Sequence, residues 1–282
     1  MSAVALGLAL AGVSAVASSS FHALLKSGGD KIAVQAWSSL VGLIIALPFI
    51  FWVGPPERIF WPWLFAGWVL HSVYYLTLVW SYGSSDYSIA FPIARGITPI
   101  FAAILGIGLL GDTLNMLTLG GVVIISGGIL LLAFNRNISR SGLMAAGCAG
   151  LLNTCFTLTD AKGMRVAADP MNFLVYYYIA DGIFMPLLLI ARTKGRLVEV
   201  ATSNARIGLA SGVMALFAFL PTLIAFRLAP VGAVSAIRAT SVIFSLFLGG
   251  GLLKERLDGR RISGALLVTV GAISIIGGTA LT

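Results

Sequence analysis

The chain has 282 residues, 59% of them hydrophobic and 10% charged, with a mean hydropathy of +1.00. Soluble domains carry about 25% charged residues. The composition therefore excludes a water-soluble globule, which would expose far too much apolar surface. It also excludes a disordered chain, which needs low hydrophobicity and high charge. The net charge of +8 sits in short segments between apolar runs, so it reads as membrane topology and not as nucleic-acid binding.

In chain order, apolar runs predict ten membrane-spanning helices over 3–25, 32–53, 61–81, 87–109, 114–134, 141–163, 170–191, 206–227, 230–252 and 261–281. The fold class is an all-α integral membrane protein. No basic residue precedes the first run, which is read as helix 1 and not as a cleaved signal peptide. Turn chemistry separates the spans: Ser27-Gly28-Gly29-Asp30, Gly54-Pro55-Pro56, Ser81-Tyr82-Gly83-Ser84-Ser85-Asp86, and Asn135-Arg136-Asn137 near the middle. The longest loop is expected at 192–205. Cys148 and Cys155 lie seven residues apart in one span, about 10 Å along a helix, too far for a disulfide.

Lys and Arg fix an expected orientation. Loops after odd-numbered spans hold twelve of them, and loops after even-numbered spans hold four: Arg58, Lys162, Arg165 and Arg227. The positive-inside rule then places the odd loops in the cytoplasm and both termini outside.

Residues 86–128 laid over 229–271 without a gap give twelve identities. Arg95 meets Arg238, Ile100-Phe101 meets Ile243-Phe244, and Gly106, Gly108, Gly121 and Gly128 meet Gly249, Gly251, Gly264 and Gly271. The chain divides into two five-span repeats, 1–136 and 137–282. Because five is odd, the second repeat enters the membrane from the opposite side, as in many secondary transporters.

The segment Phe91-Pro92-Ile93-Ala94-Arg95-Gly96-Ile97-Thr98-Pro99-Ile100 and its copy resemble spans 4 and 9 of the EamA family, within the drug/metabolite transporter superfamily. Leu252-Leu253-Lys254-Glu255-Arg256-Leu257 followed by Gly264 resembles that family's junction of spans 9 and 10; the first copy departs from it at Gly111-Asp112-Thr113. The resemblance implies a ten-helix carrier of small organic solutes. It further implies that spans 1, 3, 4, 6, 8 and 9 wall a central cavity while spans 5 and 10 pack outside.

Arg95 and Arg238 are the leading substrate-binding candidates. Each lies about 6 Å from its span midpoint, and the inversion sets them about 12 Å apart in depth. A mid-span guanidinium costs about 2.5–3.5 kcal/mol on the insertion scale, so it must face water, a carboxylate or a bound anion; its fork suits a carboxylate or phosphate. The competing reading is that each arginine ties carbonyls, such as those freed by Pro92 and Pro99, to a partner helix.

Asp181, one turn after Tyr177 and Tyr178, is read as a partner for an arginine, a substrate ammonium or a proton. Asp160, on one face with Asn153 and Thr157, is expected to reach toward the interface. His71, Tyr74, Tyr75, Leu78 and Tyr82 share a face of span 3. Ser88, Pro92, Arg95 and Pro99 form a stripe on span 4, as do Ser235, Arg238, Ser241 and Ser245 on span 9. The candidate binding set is Arg95, Arg238, Asp181, His71, Tyr74, Tyr75, Asn153, Tyr178, Ser241 and His22. The small pairs Ala102/Gly106, Ala146/Gly150 and Ser245/Gly249 read as helix packing.

The expected function is secondary transport of a small anionic or zwitterionic metabolite, with a proton or counter-substrate as coupling partner. The alternatives are export of hydrophobic or cationic compounds, or a channel. No Gly-Lys-Ser/Thr phosphate loop, His-Glu-x-x-His or Gly-x-Ser-x-Gly motif occurs, so neither ATP hydrolysis, a metal, a cofactor nor enzyme chemistry is expected. The expected home is the bacterial inner membrane, as monomer or homodimer.

Overall fold

A computed structural model describes residues 2–84, 87–133, 140–244 and 259–280. Of the expected 81–86 turn, residues 81–84 continue the preceding helix instead, and Ser85-Asp86 lie outside the described residues, as do the Asn135-Arg136-Asn137 divide, the Ser245/Gly249 pair, the 252–257 junction and the side chains of Leu78, Tyr82 and Ser88.

Among the described residues, ten helices follow the predicted spans: α1 Ala3–Ser27, α2 Lys31–Ala46, α3 Trp61–Ser84, α4 Tyr87–Leu110, α5 Met116–Ala133, α6 Arg140–Val166, α7 Pro170–Thr193, α8 Leu197–Leu228, α9 Val231–Ala239 and α10 Gly259–Ala280. A 3-10 turn at Leu47–Phe49 carries α2 into a short helix, Ile50–Val53. Local chemistry starts the helices. Ser2 accepts from Ala5 N–H, Asp30 from Ile32 and Ala33 N–H, and Asp169 from Met171 N–H, each satisfying donors that a helix start leaves open. Among the described residues, five stretches are long and apolar enough to cross a membrane: Ala3–Leu25, Lys31–Val53, Pro92–Leu110, Pro170–Thr193 and Leu197–Leu228. Met116–Leu131, Val231–Phe244 and Ser263–Thr279 are shorter apolar helices.

Two expectations need correction. The 192–205 loop shrinks to a turn at Lys194-Gly195-Arg196, where Lys194 and Gly195 take positive φ. Helix α8 starts at Leu197 because Leu197, Val200 and Ile207 recur at helical spacing and pack against a buried cluster with Leu189 and Val34. Span 9, expected to be unbroken, turns at Thr240: its hydroxyl donates to the Ile237 carbonyl and its carbonyl accepts from Ile243 N–H.

Packing follows the inversion. Helix α1 lies on α8 and α6 on α3; α4 lies on α6 and α9 on α1. The self-related pairs α2 with α7, α4 with α9 and α5 with α10 complete the arrangement. One core cluster gathers residues flanking the even-numbered loops, among them Phe60, Phe173, Phe226 and Val231; the other gathers Phe21, Leu25, Val34 and Leu189 near odd-numbered loops.

Candidate substrate-binding site

Arg95 and Arg238 line one small cavity together with Thr98, Asn153, Thr157, Ser235 and Ala239. Both arginines are buried. Arg95 Nη2 donates to Ser18 Oγ at 2.7 Å and lies 3.2 Å from His22 Nε2. Arg238 Nε donates to Ser14 Oγ at 3.1 Å, and its guanidinium stands 5.5 Å over the Phe219 ring. Ser14 and Ser18 are one turn apart on α1, so both guanidiniums are anchored to adjacent turns of a single helix. Helix contacts thus orient the arginines, as the competing reading held, but toward a shared chamber and not away from one. Opposite α1, Asn153 and Thr157 of α6 supply neutral donors and acceptors to the same space.

A second small cavity has the opposite character. Gln35, Ser38 and Ser39 of α2, Tyr75 of α3 and Tyr178 and Asp181 of α7 line it. Tyr75 OH donates to Asp181 Oδ2 at 3.5 Å. The buried Gln35 Oε1 and Tyr178 OH have no hydrogen-bond partner among the described residues. A carboxylate, an amide oxygen and hydroxyls facing one space form an acceptor-rich lining suited to a donor such as an ammonium.

Behind the lining of the second cavity, against Tyr75, Tyr177, Asp181 and Phe219, sits His71. Its Nε2 is 3.0 Å from Asp160 Oδ2 and 3.3 Å from the Tyr177 hydroxyl; its Nδ1 is 3.6 Å from Asp181 Oδ1. Phe156 and Phe219 pack on the ring at centroid distances of 4.0 and 6.1 Å.

The face carrying loops after even-numbered spans is tied together by polar contacts. Arg165 donates to Asp112 at 2.6 Å and to the Phe226 and Ala229 carbonyls; Asp112 also accepts from Val231 N–H at 2.7 Å. Arg227 donates to the Met164 and Ala167 carbonyls, and Glu57 accepts from Ala168 and Asp169 N–H.

The structure brings together Arg95, Arg238 and Asn153 in one cavity, with His22 against Arg95, and Tyr75, Tyr178 and Asp181 in the other. Tyr74 packs on Phe156 and Tyr75 and lines neither. Ser241 is buried, lines neither cavity, and its hydroxyl has no partner among the described residues. Asp160 does not reach toward the interface; it is buried because His71 offers a partner inside. Asp181 pairs with this histidine and not with an arginine. Spans 2 and 7 wall a cavity, beyond the six spans that the resemblance implied. Sequence reasoning missed Ser14 and Gln35. Each is a polar residue inside an apolar run, which was the available signal.

The sequence profile described as the EamA-like transporter family matches residues 2–134 and 140–277. No curated protein matches significantly. Among solved structures, one titled "Crystal structure of protein" superposes with a TM-score of 0.72 at 16% identity, covering 100% of this chain and 99% of the other, a likeness of fold. With the family profile spanning nearly the whole sequence in two successive copies, the chain belongs to the EamA-like transporter family, as a multi-pass membrane transporter and not an enzyme.

Proposed function

We propose that the protein moves a small anionic or zwitterionic organic metabolite, of amino acid, carboxylate or organophosphonate type, by alternating access between its two repeats. The observation that carries this reading is the pair of buried guanidiniums sharing one cavity. Two guanidiniums in one lining draw a negatively charged guest, and a bound anion relieves their mutual repulsion. Asn153, Thr157 and Thr98 then complete the hydrogen bonding of its oxygens. For a zwitterion, the ammonium goes to the cavity lined by Asp181, Gln35 and Tyr178. That acceptor-rich cavity also favours a second reading, transport of a cationic compound, in which Asp181 is the principal anchor.

The repeats divide near 136/137, the odd-numbered loops face the cytoplasm, and both termini lie outside, in a cell inner membrane. In that orientation the Arg165–Asp112 network closes the outer face. The test is counterflow in proteoliposomes with labelled alanine, glutamate and 2-aminoethylphosphonate. Saturable exchange of at least one, lost in Arg95→Ala, supports the reading. Exchange confined to organic cations and lost only in Asp181→Asn supports the second reading, and non-saturable flux would indicate a channel.

A further inference from the structure

We propose that His71, held between Asp160 and Asp181, is a proton-binding site that couples transport to the pH gradient. The inference rests on the transporter reading above and adds its energy source.

The geometry has a gap of one hydrogen. With Asp160 ionised, Nε2–H donates to it at 3.0 Å. The opposite ring nitrogen, Nδ1, is buried without a hydrogen-bond partner among the described residues, and Asp181 Oδ1 stands 3.6 Å away. In neutral imidazole, Nδ1 then carries a lone pair facing a carboxylate. A proton on Nδ1 turns that contact into a charge-assisted hydrogen bond and leaves both ring nitrogens donating to carboxylates.

The groups around His71 come from every helix packed on it. They are Tyr75 on its own α3, Asp160 on α6, Tyr177 and Asp181 on α7, and Arg238 of α9, which stacks on the same Phe219 ring of α8. Two carboxyl groups therefore face the ring directly, while the Arg238 guanidinium and the imidazole share contact with the Phe219 ring.

Access is one-sided. The Asp181 side chain is 17% exposed and lines a cavity, whereas those of His71 and Asp160 are 2% and 4% exposed. A proton passes from cavity water to Asp181 and on to Nδ1, and release reverses the path; no heavy-atom bond changes. His71 belongs to the first repeat and both aspartates to the second, so a rocking of one repeat against the other widens the gap and alters proton affinity.

The chain has two histidines, so ¹⁵N-imidazole NMR of the detergent-solubilised protein resolves His71 once His71→Gln assigns the signals. Expected is an imidazole that gains a proton on Nδ1 between pH 9 and 5, with Asp160→Asn and Asp181→Asn each depleting the doubly protonated ring at pH 7 several-fold. A His71 fixed in one protonation state across that range overturns the proposal. In pyranine-loaded proteoliposomes given the same three labelled solutes, a pH gradient is expected to drive wild-type accumulation, and Asp160→Asn to lose that drive more than it loses counterflow. Counterflow that ignores the gradient overturns the coupling but leaves the substrate reading intact. Absence of counterflow with all three solutes removes that reading, and the NMR titration then decides the proton site alone.

Discussion

Gly121 and Gly271 meet at the crossing of α5 and α10, where a Cβ on either would stand 2.7 Å from the other's carbonyl oxygen. Two turns along, a Cβ on Gly128 would lie 2.9 Å from the Gly264 carbonyl oxygen. Numbering rises on one helix as it falls on the other, so the helices are antiparallel. In the sequence repeat, Gly121 corresponds to Gly264 and Gly128 to Gly271. Each glycine therefore packs on the counterpart of its own helical neighbour, which is what an inverted duplication with a twofold through this crossing produces.

Because the obstruction is backbone on both sides, no side-chain rotation relieves it. Gly121→Ala and Gly271→Ala are each expected to destabilise the protein by about 1–3 kcal/mol, read as a lower Tm in detergent. Gly120→Ala, where a Cβ meets open space, is expected to leave Tm unchanged or raise it.

Removing either buried guanidinium removes a fork and a charge from the shared cavity. Arg95→Ala and Arg238→Ala are each expected to weaken binding of the anionic solute that shows counterflow about 100-fold, or ~3 kcal/mol, with an unchanged elution volume in size-exclusion chromatography. Arg95→Lys keeps the charge but loses the planar fork, and is expected to recover only part of the affinity in calorimetric titration.

The contact between Asp112 and Arg165 is expected to hold one face shut. Ala229 is 5% exposed and sits under that network. With Cys148 and Cys155, both exposed, replaced by serine, Ala229→Cys reports on opening. A membrane-impermeant maleimide is expected to label it several-fold faster when Asp112→Asn is added. Equal rates would mean that the ion pair does not restrain the face.

Orientation has its own test. Arg196 lies in the turn before α8, and Arg58 before α3; both are exposed. In intact cells, Arg58→Cys is expected to react with the impermeant reagent from outside, whereas Arg196→Cys reacts only after the cytoplasmic side is opened. The reverse pattern would invert the topology.

The sequence revealed whatever depends on neighbours along the chain. Apolar run lengths marked the helices, the Ser27-Gly28-Gly29-Asp30 turn marked the break between the first two, and the coincidence of Arg95 with Arg238 marked the duplication. What it hid depends on partners far apart. His71 and Asp160 are 89 residues apart, and Arg238 and Ser14 are 224 apart. Asp160 carries no local sign that an imidazole awaits it, so its position near a helix end suggested solvent. The start of α8 was hidden differently: Arg196, Glu199 and Asn204 gave it a loop-like composition, while apolar residues beneath them kept a helical period.

Although duplication created two equivalent arginines, one helix receives both. Ser14 and Ser18 fix their anchoring points a single helical pitch apart, about 6 Å for four residues. Helix α1 therefore acts as a ruler. On the proposed function, a guest is measured against a length that backbone hydrogen bonding holds constant, and selection by size is then expected to survive changes in the loops.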